Sequence, residues 1–276
     1  MDVDLFLQQV PALFDGDPMA NGPVDRRYVE MAAQVAGYTS ANELAVVNLA
    51  AKLLPADECY LEVGTYKGRS LCAAVMDVPD RTFYASENYL EFGMLGQEAR
   101  DELHTNLATH AAGADVRLIE GDCFRTLAQP GALRSPVGVY FYDGKHTLLA
   151  HYLALGLVEP LLADQALVLV DDATWPVVQK AHEAYLSRHS GWSVVARWDA
   201  KQTADPLWAN GLHALRYDRP ADRKLGLSTD TALMRRLQVG AVGPAESLAW
   251  HTLHRAPWLV ALAKKIYPKR SSRINT

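Results

Sequence analysis

The sequence predicts an α/β fold, a doubly wound and mostly parallel seven-stranded sheet with helices on both faces. Three observations predict it. Apolar runs of strand length alternate with helix-length amphipathic runs from about residue 56 onward. A strand, a glycine-bearing turn and a helix open that alternation. Acidic residues then follow successive strand patterns, where a parallel sheet presents its ligand-binding edge.

The elements follow in order. Residues 41–54 read as a helix, with Leu44, Val47, Leu49, Ala50 and Leu53 on one face. Strands are expected at 59–63, 82–85, 116–119, 137–142 and 166–170. Helices are expected at 70–76, 97–110, after Asp122, 148–162 and 177–189. Two β-rich runs, 192–198 and 212–217, complete the sheet. The chain thus divides into a helical N-terminal region or lid (1–55), the α/β domain (56–218) and a basic helical extension (219–276).

With 276 residues, 49% hydrophobic and 21% charged, the composition is that of an ordinary soluble globular chain. No apolar run reaches the roughly 18 residues of a membrane span, and the acidic N-terminus lacks the order of a secretory signal. Cys59, Cys72 and Cys123 form no CxxC pair, so reduced thiols in a cytoplasmic protein are expected. From Arg219 onward eleven basic residues face three acids; with a whole-chain charge of −5, the body is strongly acidic. That argues against a nucleic-acid partner lying across the main domain.

The strongest motif is Glu62-Val-Gly64-Thr-Tyr66-Lys-Gly68-Arg-Ser70. Its glycines allow a tight turn and close approach of a ligand to the backbone. The GxxxG spacing is not that of dinucleotide binders. A carboxylate at Glu62 would repel a pyrophosphate but suits a ligand carrying ammonium and sulfonium groups. A turn whose glycines serve packing alone is the structural alternative.

E-x-G-x-x-x-G-x-S after a first strand resembles motif I of class I S-adenosylmethionine-dependent methyltransferases, whose sheet is Rossmann-like. The resemblance runs from about residue 40 to 217. Within that superfamily the chain is most similar to the branch of metal-dependent sugar O-methyltransferases and, more distantly, the catechol and caffeoyl-CoA enzymes. The resemblance implies that Glu62, Gly64, Gly68 and Ser70, with Tyr66 between them, surround the methionine part of S-adenosylmethionine. Glu87, followed by Asn88 at the end of the second strand, is placed to accept hydrogen bonds from ribose hydroxyls; a solvated loop glutamate is the alternative. The family pattern often has Asp-Asn at this point. Asp122, beside Cys123, can cap a helix, and the resemblance adds a contact to adenine.

Asp143 follows the fourth strand, and Asp171-Asp172 the fifth. Three carboxylates at one rim repel one another unless a cation, protons or basic groups compensate. An all-oxygen set suits Mg²⁺; helix capping and a glycine turn are the bland alternative. The 28-residue interval from Asp143 to Asp171 also resembles the metal-dependent sugar enzymes. A metal chelating two substrate oxygens would acidify a hydroxyl and aim it at the sulfonium methyl group. His146 is the first candidate base and Lys145 the second. Several sugar-modifying relatives carry an acid where Lys145 stands, which leaves the base and the sugar inference open. His104, His110, His151, His182 and His189 read as surface or interface residues.

Beyond Tyr217 a polar linker precedes an amphipathic helical stretch, 244–267, broken at Pro257 and followed by Lys264, Lys265, Lys269, Arg270 and Arg273. It is read as docking on the acidic body or a second subunit; peripheral contact with an anionic membrane or with a charged substrate are the alternatives. The expected function is O-methyl transfer to a small hydroxylated molecule, such as a sugar, natural product or catechol, by a homo-oligomeric enzyme. Three rivals fit the motifs less well: a metal-independent enzyme of the same fold, a silent cofactor-binding or assembly protein, and a nucleotide-dependent oxidoreductase.

Overall fold

One seven-stranded sheet, ordered β3-β2-β1-β4-β5-β7-β6, forms the centre of the computed structural model, which describes residues 1–89, 94–222 and 226–255. The strands are β1 (Cys59–Val63), β2 (Thr82–Glu87), β3 (Asp115–Glu120), β4 (Val137–Tyr142), β5 (Leu162–Val170), β6 (Trp192–Trp198) and β7 (Leu212–Asp218). The first five pair in parallel; β7 enters antiparallel between β5 and β6. β1 and β4 are buried at every position, as central strands covered on both faces must be.

The register aligns the carboxyl ends. Val63 pairs with Ser86 on one side and Tyr142 on the other, and Tyr142 with Val170. The order steps outward from β1 toward β2 and β3 on one side and toward β4 and β5 on the other. The crevice beyond Val63 is therefore the switch point at which such sheets bind ligands.

Among the described residues the helices are α1 (Val3–Gln9), α2 (Arg27–Gln34), α3 (Ala41–Lys52), α4 (Arg69–Val75), α5 (Met94–His110), α6 (Cys123–Thr126), α7 (Leu148–Val158), α8 (Pro176–Leu186), α9 (Thr229–Leu237) and α10 (Gly243–Arg255). A single π turn, Gln238–Val242, joins the last two. None of the described helices is long and apolar enough to cross a membrane.

Three expectations are corrected. α3 is not amphipathic: Asn42, Glu43 and Asn48 are as buried as its leucines. It packs against α2 and α4, and Asn48 supplies the polar link, accepting the Tyr28 hydroxyl (2.7 Å) and donating to the carbonyls of Ala73 and Met76 (both 2.8 Å). His151 and His182 are core residues of α7 and α8 and lie off the surface. The last two residues of the expected polar linker, 218–230, already belong to α9, a helix that Ser228 caps and whose Thr231 packs against Gly156 of α7. The stretch from Pro257 to the end, with its five basic residues, lies outside the described residues.

Candidate active site

The β1–α4 turn is built from backbone geometry that glycine permits. Gly64 sits at φ +93°, and a Cβ there would lie 2.0 Å from the Asp143 carbonyl oxygen. Gly68 sits at φ +86° with Leu103 against it. Tyr66 holds a left-handed φ of 49°, a conformation that costs a non-glycine residue energy and here is stabilised from two sides. Its N–H donates to Glu87 Oε2 (2.7 Å), and its carbonyl accepts the Tyr89 hydroxyl (2.8 Å). Glu87 Oε1 also accepts the N–H of Asn88 (2.8 Å), so this carboxylate braces the turn as well as facing the crevice.

Glu62 is fully buried beneath the turn. It accepts hydrogen bonds from the Tyr60 hydroxyl (2.9 Å) and Ser70 Oγ (3.0 Å), and burial pushes its carboxyl up to about 7. It sits behind Ser70, while Ser70 itself lines the crevice. Asp122 caps α6, accepting the Phe124 N–H at 2.9 Å, and also lines the crevice, so its two expected roles are compatible.

These ends enclose one cleft of about 970 Å³. Gly64, Tyr66, Ser70, Glu87, Asn88, Asp122 and Cys123 line it together with Asp143, Lys145 and His146. Glu62, Gly68, Asp171 and Asp172 stand behind its lining. Residues 36–39 close one flank, where Arg69 holds the segment by donating to the carbonyls of Val35 (2.6 Å) and Thr39 (3.0 Å). Gln238, Gly243, Pro244, Ser247 and Trp250 of the C-terminal extension also line the cleft. The 201–210 loop lines a smaller adjoining pocket of about 420 Å³. It is fixed by buried Trp208, which stacks on Trp198 and donates to the Pro18 carbonyl (2.8 Å).

The acidic rim differs from expectation in membership. His146 Nε2 lies 3.0 Å from Asp172 Oδ2 and 4.0 Å from Asp143 Oδ1. Asp171, only 4% exposed, lies beneath the rim: its Oδ1 accepts the Asp172 N–H (2.9 Å), and its carboxyl group contacts those of both Asp143 and Glu43. Burial, with the charges of Glu43, Asp143 and Asp172, holds the Asp171 carboxyl well above the usual range. Burial and the charges of Asp172 and Glu43 do the same to Asp143. Glu43 is itself pushed up to about 7, chiefly by burial. It was invisible as a site residue because Ser40 and Glu43 form a capping box, which accounts for a glutamate at that spacing. Burial lowers His146 below its ordinary value. Lys145 bonds the carboxylate of Glu246 on α10.

Residues 61–173 match the family model described as a methyltransferase domain. No curated protein matches the sequence. Solved structures resemble the fold. The O-methyltransferase TomG from Streptomyces achromogenes, determined with S-adenosylmethionine, gives a TM-score of 0.52 at 17% identity, over 79% of this chain and 96% of that one. The O-methyltransferase from Bacillus cereus, in complex with SAH, gives 0.55 at 14% identity, over 76% and 96%. The SAH-bound methyltransferase PaMTH1 of Podospora anserina gives 0.52 at 14% identity, over 79% and 95%.

The seven-stranded sheet has the fold of these solved methyltransferases, and the glycine turn lies inside the matched domain. The chain carries the match to a methyltransferase domain over residues 61–173.

Proposed function

We propose that the protein transfers the methyl group of S-adenosylmethionine to a hydroxyl of a small molecule, with a divalent cation at the Asp143–Asp172 rim. The observation that supports this reading is the shared cleft. The strand ends that would grip the donor (Gly64, Glu87, Asp122) and those that would meet the acceptor (Asp143, His146) open into the same space. O-methyl transfer is what the printed descriptions of TomG and the Bacillus cereus enzyme say of those proteins; the acidic rim extends it to this chain.

The donor set fits a cation. Carboxylate oxygens of Asp143 and Asp172 stand within reach of one another, and burial makes their uncompensated charge costly. A cation bound there would lower the pKa of a coordinated hydroxyl, so loss of its proton needs no strong base. The chain's own residues do the rest. Glu87 and Asp122 hold the nucleoside end, Ser70 and the Gly64 turn receive the methionine end, and the flanks at 36–39 and 238–250 exclude water and fit the acceptor. The buried or half-buried thiols, unpaired and with Cys59 and Cys72 pushed up to about 12 by burial, suit a reducing cytoplasm.

The test is methyl transfer from S-adenosylmethionine to a panel of catechols, polyols and sugar derivatives, with and without EDTA. Transfer that is indifferent to EDTA and to Asp172→Asn would leave the methyltransferase standing and remove the cation. Tight cofactor binding with no transfer to any acceptor would favour a regulatory role.

A further inference from the structure

We propose that Arg69 is an anion seat at the junction of the cleft with its smaller neighbour, and that the acceptor is a hydroxylated carboxylic acid whose carboxylate it takes. The proposal rests on the methyl transfer proposed above and narrows the class of acceptor.

Charge pairing singles out this side chain. Among the described residues, four Lys and Arg side chains line the cleft. Three have a carboxylate beside them: Lys67 meets Glu102 (2.7 Å), Arg125 meets Asp122 (3.5 Å) and Lys145 meets Glu246. Arg69 pairs with no carboxylate among the described residues and is tied instead to the carbonyls of Val35 and Thr39. Those bonds use Nε–H and one N–H of Nη1. The other N–H of Nη1 and both on Nη2 have no partner among the described residues, and a pair of such donors matches the two oxygens of a carboxylate. Burial lowers the guanidinium below its ordinary value with no carboxylate opposing the shift. An arginine stays charged at neutral pH all the same, so this charge stands uncompensated.

The adjoining cavity of about 420 Å³ is where the anion would lie. The two cavities share Tyr38, Thr39 and Arg69 in their linings. Within the turn 62–70, only Arg69 lines both; Gly64, Tyr66 and Ser70 line the cleft alone. The guanidinium thus reaches beyond the turn to the segment 35–39. The cofactor's own carboxylate is the competing anion, and this reach toward the second cavity favours the acceptor.

The lining of the second cavity suits one acid group. Among the described residues Arg69 is its only basic side chain, which balances a carboxylate better than a doubly charged phosphate. Its one carboxylate, Asp205, is engaged by the N–H groups of Lys201 (3.3 Å), Leu207 (2.9 Å) and Trp208 (3.3 Å) in its own loop. Asn42 lines the same cavity and is 1% exposed. Its Nδ2 donates to the carbonyls of Pro18 (3.2 Å) and Asn21 (3.0 Å), while its Oδ1 has no donor among the described residues. A buried acceptor left in this way calls for a partner, and a hydroxyl or amino group on the same acid would supply one. Pro23, Val29, Pro206 and Leu207 give the cavity an apolar remainder for the body of the molecule.

The experiment uses the full chain, S-adenosylmethionine and acceptors supplied in pairs, each as the acid and as its carboxamide, among them protocatechuate and gluconate with their amides. The preferred acid should exceed its amide by at least about 10-fold in kcat/KM, the worth of a charge-assisted pair. Arg69→Gln should bring that ratio to within about 3-fold of unity, and Arg69→Lys, which keeps the charge without the fork, should fall between. A role confined to bracing 35–39 would lower acid and amide alike and leave the ratio unmoved. Calorimetric titration with S-adenosylhomocysteine reads the cofactor side, and its affinity should fall less in Arg69→Gln than kcat/KM for the acid does. Equal use of acids and amides by the parent, a ratio that survives Arg69→Gln, or an equal loss of S-adenosylhomocysteine affinity overturns the proposal and leaves the methyl transfer standing. The last of these would assign Arg69 to the cofactor's carboxylate. Transfer to no member of any pair overturns the methyl-transfer reading, and the proposal with it.

Discussion

Lys145 bonds Glu246, and this ion pair fastens the loop after β4 to α10, a helix 101 residues further along the chain. Both side chains are about a third exposed, so the pair is worth no more than about 1 kcal/mol. Its value lies in placement, since Ser247 and Trp250 of the same helix line the cleft. Glu246→Gln is expected to raise the KM for the acceptor or cofactor about two- to fivefold, and high salt should mimic it in the unmodified protein. A KM insensitive to both would show that the pair does not shape the cleft.

Under the proposed function Glu87 would support cofactor affinity in two ways, by lining the crevice and by holding the Tyr66 and Asn88 amides. Hydrogen bonds to charged groups are worth about 1.5–3 kcal/mol each. Glu87→Ala should therefore weaken S-adenosylmethionine binding by about 10- to 100-fold in calorimetry. Asp172→Asn, behind the acceptor side, should change that affinity by less than about 3-fold when titrated in EDTA. Equal losses in the two variants would contradict the division of the cleft into donor and acceptor sides.

Asn48 joins α2, α3 and the end of α4 through buried hydrogen bonds. Asn48→Leu strands the Tyr28 hydroxyl and two carbonyls, at a cost of about 2–4 kcal/mol in urea unfolding. Tyr28→Phe removes one bond and should cost about 1 kcal/mol. Similar losses in both would mean that the carbonyl contacts contribute little.

Two buried groups give opposite pH signatures. The Glu62 carboxyl is raised from 4.5 to about 7, so the fold holds its proton more tightly than the unfolded chain does. Its contribution is present below pH 4.5 and is lost as pH rises through about 7. Stability of the parent relative to Glu62→Gln should therefore fall from pH 5 to pH 8. His182 is lowered from 6.5 to about 3, mainly by burial. Its contribution is present above pH 6.5 and is lost as pH falls toward 3, so His182→Leu should remove part of the acid sensitivity. Urea midpoints across this range measure both slopes; a flat difference for either variant would refute its assignment.

The strands were legible where apolar runs end at glycine or aspartate: the expected limits of β1, β4 and β6 coincide with those observed. β5 begins four residues earlier than expected, because Asp164 and Gln165 interrupt its apolar run. The Asp218 that receives the Gln165 amide (2.8 Å) lies on β7, beyond the reach of local pattern. Around the cleft, the positions of Gly64, Glu87, Asp122 and Asp143 were readable because each stands at or just past a strand end. Glu43, the place of Asp171 beneath the rim and the burial of His151 and His182 were not, since each depends on which helix packs over the sheet. α9 escaped because only a serine cap and a few apolar residues mark it.

At Gly64 the donor turn and the acceptor loop meet as bare main chain, locked by the Asp143 N–H on the Val63 carbonyl (2.9 Å). No rotamer intervenes at that seam. If the cleft works as proposed, the span a methyl group would cross is a dimension of the scaffold, like the gauge of a track, rather than an outcome of side-chain choice. Replacements along 36–39 or 238–250 would then retailor which acceptor is admitted while that span stays constant.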